Sequence, residues 1–154
     1  MVLSYTKNKE MHVVEEENKT REIRARMRDM CFEGEVRIKA SKTMDILEIS
    51  GKIENSISER CSESLNLLEK MKGRRITGGI TKLVYGIIGK QCPYLASLVM
   101  ECIDGAILGA TVGPLEKAVP QLWHSRKKFT KEALIEFMPH MRNSCVAYTL
   151  KEEV

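Results

Sequence analysis

The side chains whose types and spacing most clearly suggest chemistry here are basic, and the chemistry is the binding of negative charge. Arg21, Arg24 and Arg28 step by three and four; Lys70, Lys72, Arg74 and Arg75 crowd one stretch; Arg126, Lys127 and Lys128 form a third block. With Lys82 and Lys90 added, residues 70–91 carry six cations and no acid, although the whole chain has a net charge of only +4. Phosphates of RNA or DNA, or anionic lipid heads, are the natural partners of such clusters. Any single block is more commonly a solvated helix face balanced by nearby glutamates. Three blocks, one wholly without acids, favour a polyanion. Aromatic residues make up 5% of the chain and are nearly absent from the blocks, so contact with a nucleic-acid backbone is expected rather than base stacking.

Catalysis has little material. Gly89-Lys90 falls where a phosphate-binding loop would place its Gly-Lys, but Val84 replaces the first glycine and Gln91 the hydroxyl that such a loop needs. The histidines His12, His124 and His140 stand apart from one another, and His140 and Cys145 are five residues apart, off a shared helix face. Three aspartates, Asp29, Asp45 and Asp104, add little for acid–base work. We therefore expect no enzyme, no cofactor and no metal site. The five cysteines, Cys31, Cys61, Cys92, Cys102 and Cys145, form no C-x-x-C pair, and no apolar leader opens the chain. Together these predict free thiols in a reducing compartment: a cytoplasmic protein, with nuclear or membrane-peripheral placement as alternatives, and not a secreted one.

Glycine supplies a second signal. Gly105, Gly109 and Gly113 recur every fourth residue, a stripe that lets another helix backbone approach closely. The surrounding segment is long enough to span a bilayer, but Glu101 and Asp104 lie near its middle, and a central acid costs about 3 kcal/mol on insertion. A soluble central helix is preferred; the alternative is an apolar hairpin over 76–119 that enters membranes conditionally.

The elements that must position these residues are read as helices. Residues 1–14 form a flexible arm. Ile23, Met27, Met30 and Cys31 recur at helical offsets, and Gly34 ends that helix. From Glu35 to Lys72 there is no proline, and Ile46, Ile49, Ile53, Ile57, Cys61, Ser64 and Leu68 step by three or four. That rhythm predicts an amphipathic helix compatible with a coiled coil, about 50 Å long if unbroken at Gly51; the alternative is two ordinary helices. The glycines of 73–79 mark a hinge. Beyond it, 80–154 reads as an apolar bundle: Ile80–Gln91, then a helix opened by Pro93, another starting at Gly113-Pro114, and a last one capped by Thr130 with Phe129 and Leu134 as its staple.

The sequence thus predicts an all-α helical bundle, with a long amphipathic region over 15–72 and a more apolar half over 80–154. Its expected function is non-enzymatic oligomerisation or assembly. Ile46, Ile49, Ile53, Ile57, Leu68, Gly105, Gly109 and Gly113 would make the protein contacts, and the basic blocks would touch RNA, DNA or an anionic surface. The alternatives are a membrane-docked helical protein and a bundle that binds a partner's amphipathic helix.

Overall fold

The computed structural model describes residues 4–118 and the helical positions 132, 135 and 136. The chain divides into two units, 1–113 and 114–154, and the sheet with its covering helices belongs to the first. Four strands, β1 (Asn8–Glu15), β2 (Arg21–Arg28), β3 (Phe32–Ala40) and β4 (Ile46–Ser56), form an antiparallel sheet in the order β1-β2-β3-β4. The expectation of an all-α bundle is therefore overturned: the fold mixes a meandering sheet with helices, and no coiled coil runs through 35–72.

In β2, Arg21, Ile23, Ala25 and Met27 are buried while Arg24, Arg26 and Arg28 are exposed, the period-two alternation of a half-buried strand. β3 continues it with Phe32, Gly34, Val36, Ile38 and Ala40 buried. Gly34 ends no helix; it faces Ile53 across the ladder, where Phe32 leaves no room for a side chain.

The isoleucine seam belongs to β4. Ile46 pairs with Ala40 and Ile49 with Ile38, so Leu47 is an extra residue at a register shift. A second shift falls between Glu33 and Gly34, beyond the Ile53 pairing. These irregularities behave as β-bulges, in which one added residue changes the spacing of the buried face. Ile46 and Ile49 are buried, Ile53 is partly so, and Ile57 lies exposed past the strand. Gly51 sits opposite Val36 beneath Leu65 and Leu68.

The first and third hairpins share one geometry. Glu16 N–H donates to Thr20 O and Lys19 N–H to Glu16 O; Ser41 N–H donates to Asp45 O and Met44 N–H to Ser41 O. Lys19 (φ 62°) and Met44 (φ 67°) take the left-handed position usually given to glycine. Between β2 and β3, Asp29 Oδ1 accepts from the amides of Cys31 and Phe32.

Helical segments cover one face of the sheet. α1 (Glu59–Glu63) runs into a 3₁₀ segment, Ser64–Met71. α2 (Ile80–Val84) passes into a π-helical turn at Tyr85–Gly89, and α3 spans Pro93–Ala118. α3 therefore continues through Gly113-Pro114, where the sequence predicts a new start. Leu95, Leu98, Val99, Cys102, Ile103 and Ala106 of α3 join Ile23, Met27, Val36 and Ile38 in the core. Gly73 and Gly79 have φ of 76° and 99°, within the segment read as a hinge.

Candidate functional site

Strand geometry separates the first basic block. On a strand, positions 21 and 24 point to opposite faces. Arg21 lies on the covered face, 7% exposed, with Nη2 3.2 Å from Glu15 Oε2 and with Nε and Nη1 buried without a hydrogen-bond partner among the described residues. Arg24 and Arg28 lie on the open face among carboxylates.

That open face is a lattice of alternating charge. Arg24 reaches Glu35 (3.7 Å) and Glu22 (3.8 Å), and Arg37 reaches the same two. Arg26 Nη2 donates to Glu33 (2.7 Å) and Glu54 (3.1 Å), while Arg28 sits 3.7 Å from Glu33. Lys39 meets Glu16 at 3.0 Å and Lys52 meets Glu54 at 2.8 Å. The hydrogen bond with Glu33 raises the Arg26 pKa, and that from Lys52 lowers the carboxyl of Glu54. A shallow hollow of about 260 Å³ lined by Asn8, Glu10, Arg26, Arg28 and Glu33 lies on this face, its arginines already paired. The arginines of the first block are therefore neutralised where they stand.

The 70–91 block differs. Lys72 lies 3.4 Å from Glu69, and Arg75 holds Asp45 through two bonds of 2.8 and 3.3 Å. The Arg75 hydrogen bond, helped by that of Thr43, brings the Asp45 carboxyl down to about 2. Lys70, Arg74, Lys82 and Lys90 are exposed and have no ion pair among the described residues. Lys70 lies in the last turn of the 3₁₀ segment, Arg74 lies in the link to α2, Lys82 is on α2, and Lys90 follows the π-helical turn. Arg126, Lys127 and Lys128 lie outside the described residues, as do His124, His140, Cys145 and the Thr130 cap.

Gly105 and Gly109 of the glycine stripe meet strands. A methyl on Gly105 would lie 2.6 Å from Met11 Sδ and 2.8 Å from Ile23 Cγ2; on Gly109 it would lie 3.0 Å from both Val13 Cγ1 and Arg21 Cδ. Four helical residues rise about 6 Å and two strand residues about 6.8 Å, so every fourth position of α3 tracks every second one of β1 and β2. Gly113 continues the helix backbone.

Cys61 and Cys92 are buried with their sulfurs 2.7 Å apart. Burial, then the contact with Cys92, pushes the Cys61 thiol up to about 12, and burial does the same to Cys102. Among the described residues no group of three His, Cys, Asp or Glu is placed to hold a metal.

One surface escaped sequence reasoning. β1 occupies 8–15, read as an arm, and is exposed throughout. Its inward residues Lys9, Met11, Val13 and Glu15 alternate with Asn8, Glu10, His12 and Val14, a signal too weakly apolar to stand out. Comparison with protein-family models, curated proteins and solved structures finds no match for this chain.

Proposed function

We propose that this chain is a non-enzymatic assembly protein that meets a polyanion, an RNA or DNA backbone or an anionic surface, through its basic segment 70–90. One observation carries the reading: Lys70, Arg74, Lys82 and Lys90 are exposed and unmatched by carboxylates among the described residues, within 22 residues that hold no acid. The arginines of the sheet face are set aside because glutamates already hold them. Tyr85 is the one aromatic in the segment, so contact with the backbone of the polymer, not stacking, supplies affinity.

Four phosphate contacts release about four counterions, giving a log–log salt slope of about −3.6 on duplex DNA. Retention on heparin and duplex binding across a salt series test this. Reversing Lys70, Arg74, Lys82 and Lys90 to glutamate should abolish retention, while Arg24→Glu with Arg28→Glu should leave it largely intact. If the parent chain flows through at low salt, or if the fourfold variant binds equally well, the reading is wrong.

The alternative, a membrane-active hairpin over 76–119, draws on α3. Pro93–Val112 is long and apolar enough to cross a bilayer. Its Leu95, Leu98, Val99, Cys102 and Ile103, however, are buried within the folded unit, so insertion would require opening the core. We give that reading second place.

A further inference from the structure

We propose that Cys61 and Cys92 form a modification site, a latch that peroxide closes into a reversible disulfide around the basic segment. Its use in polyanion binding rests on the reading above; the crosslink itself does not.

The buried cysteines fall into two kinds. Cys102, on α3, turns its thiol to backbone carbonyls, Val36 O at 3.4 Å and Ile23 O at 3.9 Å, and packs as a small core residue. Cys61 and Cys92 turn to each other. Their sulfurs lie 2.7 Å apart, whereas non-bonded heavy atoms settle about 3.5–4.0 Å apart and bonded sulfurs about 2.0 Å. Among the described residues no other two cysteine sulfurs share a hydrogen bond.

Each sulfur is held from its own side. Cys92 immediately precedes Pro93, the first residue of α3. Its sulfur accepts from the Leu95 amide at 3.4 Å, the bond that an N-cap side chain makes. Cys61 is the buried residue of α1, between exposed Glu59, Arg60, Ser62 and Glu63, and Ser58 makes no side-chain cap. A five-residue helix anchored by one side chain opens at low cost. Such opening admits a small oxidant to sulfurs that the closed fold covers.

The chemistry balances with hydrogen peroxide as oxidant. With α1 open, Cys61 gives up its proton and attacks one peroxide oxygen. The O–O bond breaks, the departing hydroxide takes that proton and leaves as water, and Cys61 becomes a sulfenic acid. Cys92 then attacks the Cys61 sulfur; the S–O bond breaks, and a second water leaves with the Cys92 proton. Two thiols lose two electrons, and one peroxide is reduced to two waters. A thiol reductant reverses the bond by exchange. Where thiols are otherwise kept reduced, such a bond is a transient signal.

Position gives the bond its consequence. Cys61 and Cys92 are 31 residues apart, and all six cations of 70–91 lie between them. Closing that loop restricts the unfolded chain, so the oxidised protein should melt about 10 °C higher. Lys70, Arg74, Lys82 and Lys90 would then stay in place under conditions that loosen the reduced chain.

The test treats the reduced full chain with a small excess of hydrogen peroxide. Digestion without reductant, read by mass spectrometry, should show the Cys61 and Cys92 peptides joined as the main disulfide, and dithiothreitol should release them. Dimedone should trap a sulfenic acid on Cys61 in Cys92→Ala and far less of it in the parent. No 61–92 linkage, or Cys31 or Cys145 as the main disulfide partner, overturns the proposal. So does an unchanged melting temperature once the linkage has formed. If Cys92→Ala fails to fold, the peptide map of the parent decides. At a urea concentration that half unfolds the reduced chain, the oxidised chain should stay on heparin while much of the reduced chain elutes; equal elution would deny the latch. A parent that never binds heparin sinks the polyanion reading and leaves the crosslink standing. A parent that binds but never crosslinks sinks the latch alone.

Discussion

Gly105 of α3 faces Met11 of β1 so closely that a methyl group on the glycine would lie 2.6 Å from the methionine sulfur. Behind Met11 stands Ile23 Cγ2, 2.8 Å from the same point, on a branched side chain that cannot swing away cheaply. Gly105→Ala should therefore lose about 1–3 kcal/mol despite alanine's better helix propensity. Gly86, in the π-helical turn, has nothing among the described residues within 4 Å of its own Cβ position, so Gly86→Ala should be neutral or gain up to about 1 kcal/mol. Urea unfolding of the two variants reads both; equal effects would deny the close seat of α3 on the strands.

Lys19 holds φ of 62° at the fourth position of the first hairpin, where an L-residue costs about 1–2 kcal/mol. Glycine relieves this but adds entropy to the unfolded chain. Lys19→Gly should therefore stabilise the protein by about 0.5–1 kcal/mol, and Lys19→Val should destabilise it by about 1 kcal/mol or more, since branched residues tolerate that region worst. Denaturation midpoints falling in the opposite order would contradict the turn geometry.

Those turns explain part of why the fold is hard to read in the sequence. Hairpins announce themselves by Asn-Gly or Asp-Gly pairs, and here Lys19 and Met44 occupy the left-handed positions instead. β2 hides its alternation because an arginine, Arg21, takes the first inward position and a small alanine, Ala25, the third. In β4, the extra residue Leu47 sets Ile46 and Ile49 three apart, and two strand periods set Ile49 and Ile53 four apart. That is the spacing of a helix face produced by a strand. The glycine stripe signalled a close approach, but spacing does not say whether helix or strand approaches. Charge blocks were visible as blocks; which cations are matched depended on cross-strand pairs such as Arg26–Glu33, which no linear reading supplies.

Acid should weaken the fold through Asp45. The Arg75 hydrogen bond foremost, then that of Thr43, brings its carboxyl from 3.8 to about 2. A folded-state value below the unfolded one means that folding favours the ionised form. Its contribution is complete above about pH 4 and is lost as pH falls through about 2. Glu16 and Glu54 are shifted in the same direction by Thr20 and Lys52 respectively, so the parent's melting temperature should fall across this range. Asp45→Asn should melt lower than the parent at neutral pH, and the gap should narrow toward about pH 2. Parallel melting curves from pH 6 to 2 would show that the Asp45–Arg75 pair contributes nothing.

Thiol reactivity should follow burial. Cys61 and Cys102 have thiols pushed well above the ordinary thiol range, chiefly by burial, so at pH 8 their thiolate forms are scarce. Cys92 is fully buried against Cys61, whereas Cys31, in the turn between β2 and β3, is only partly covered. Alkylation of the native chain at pH 8, followed by peptide mass spectrometry, should modify Cys31 at least about tenfold faster than Cys61, Cys92 or Cys102, because attack requires both thiolate and access. In denaturant the four rates should converge. If Cys92 or Cys61 reacted as fast as Cys31 in the folded protein, then the packing of α1 and the start of α3 around these sulfurs would be wrong.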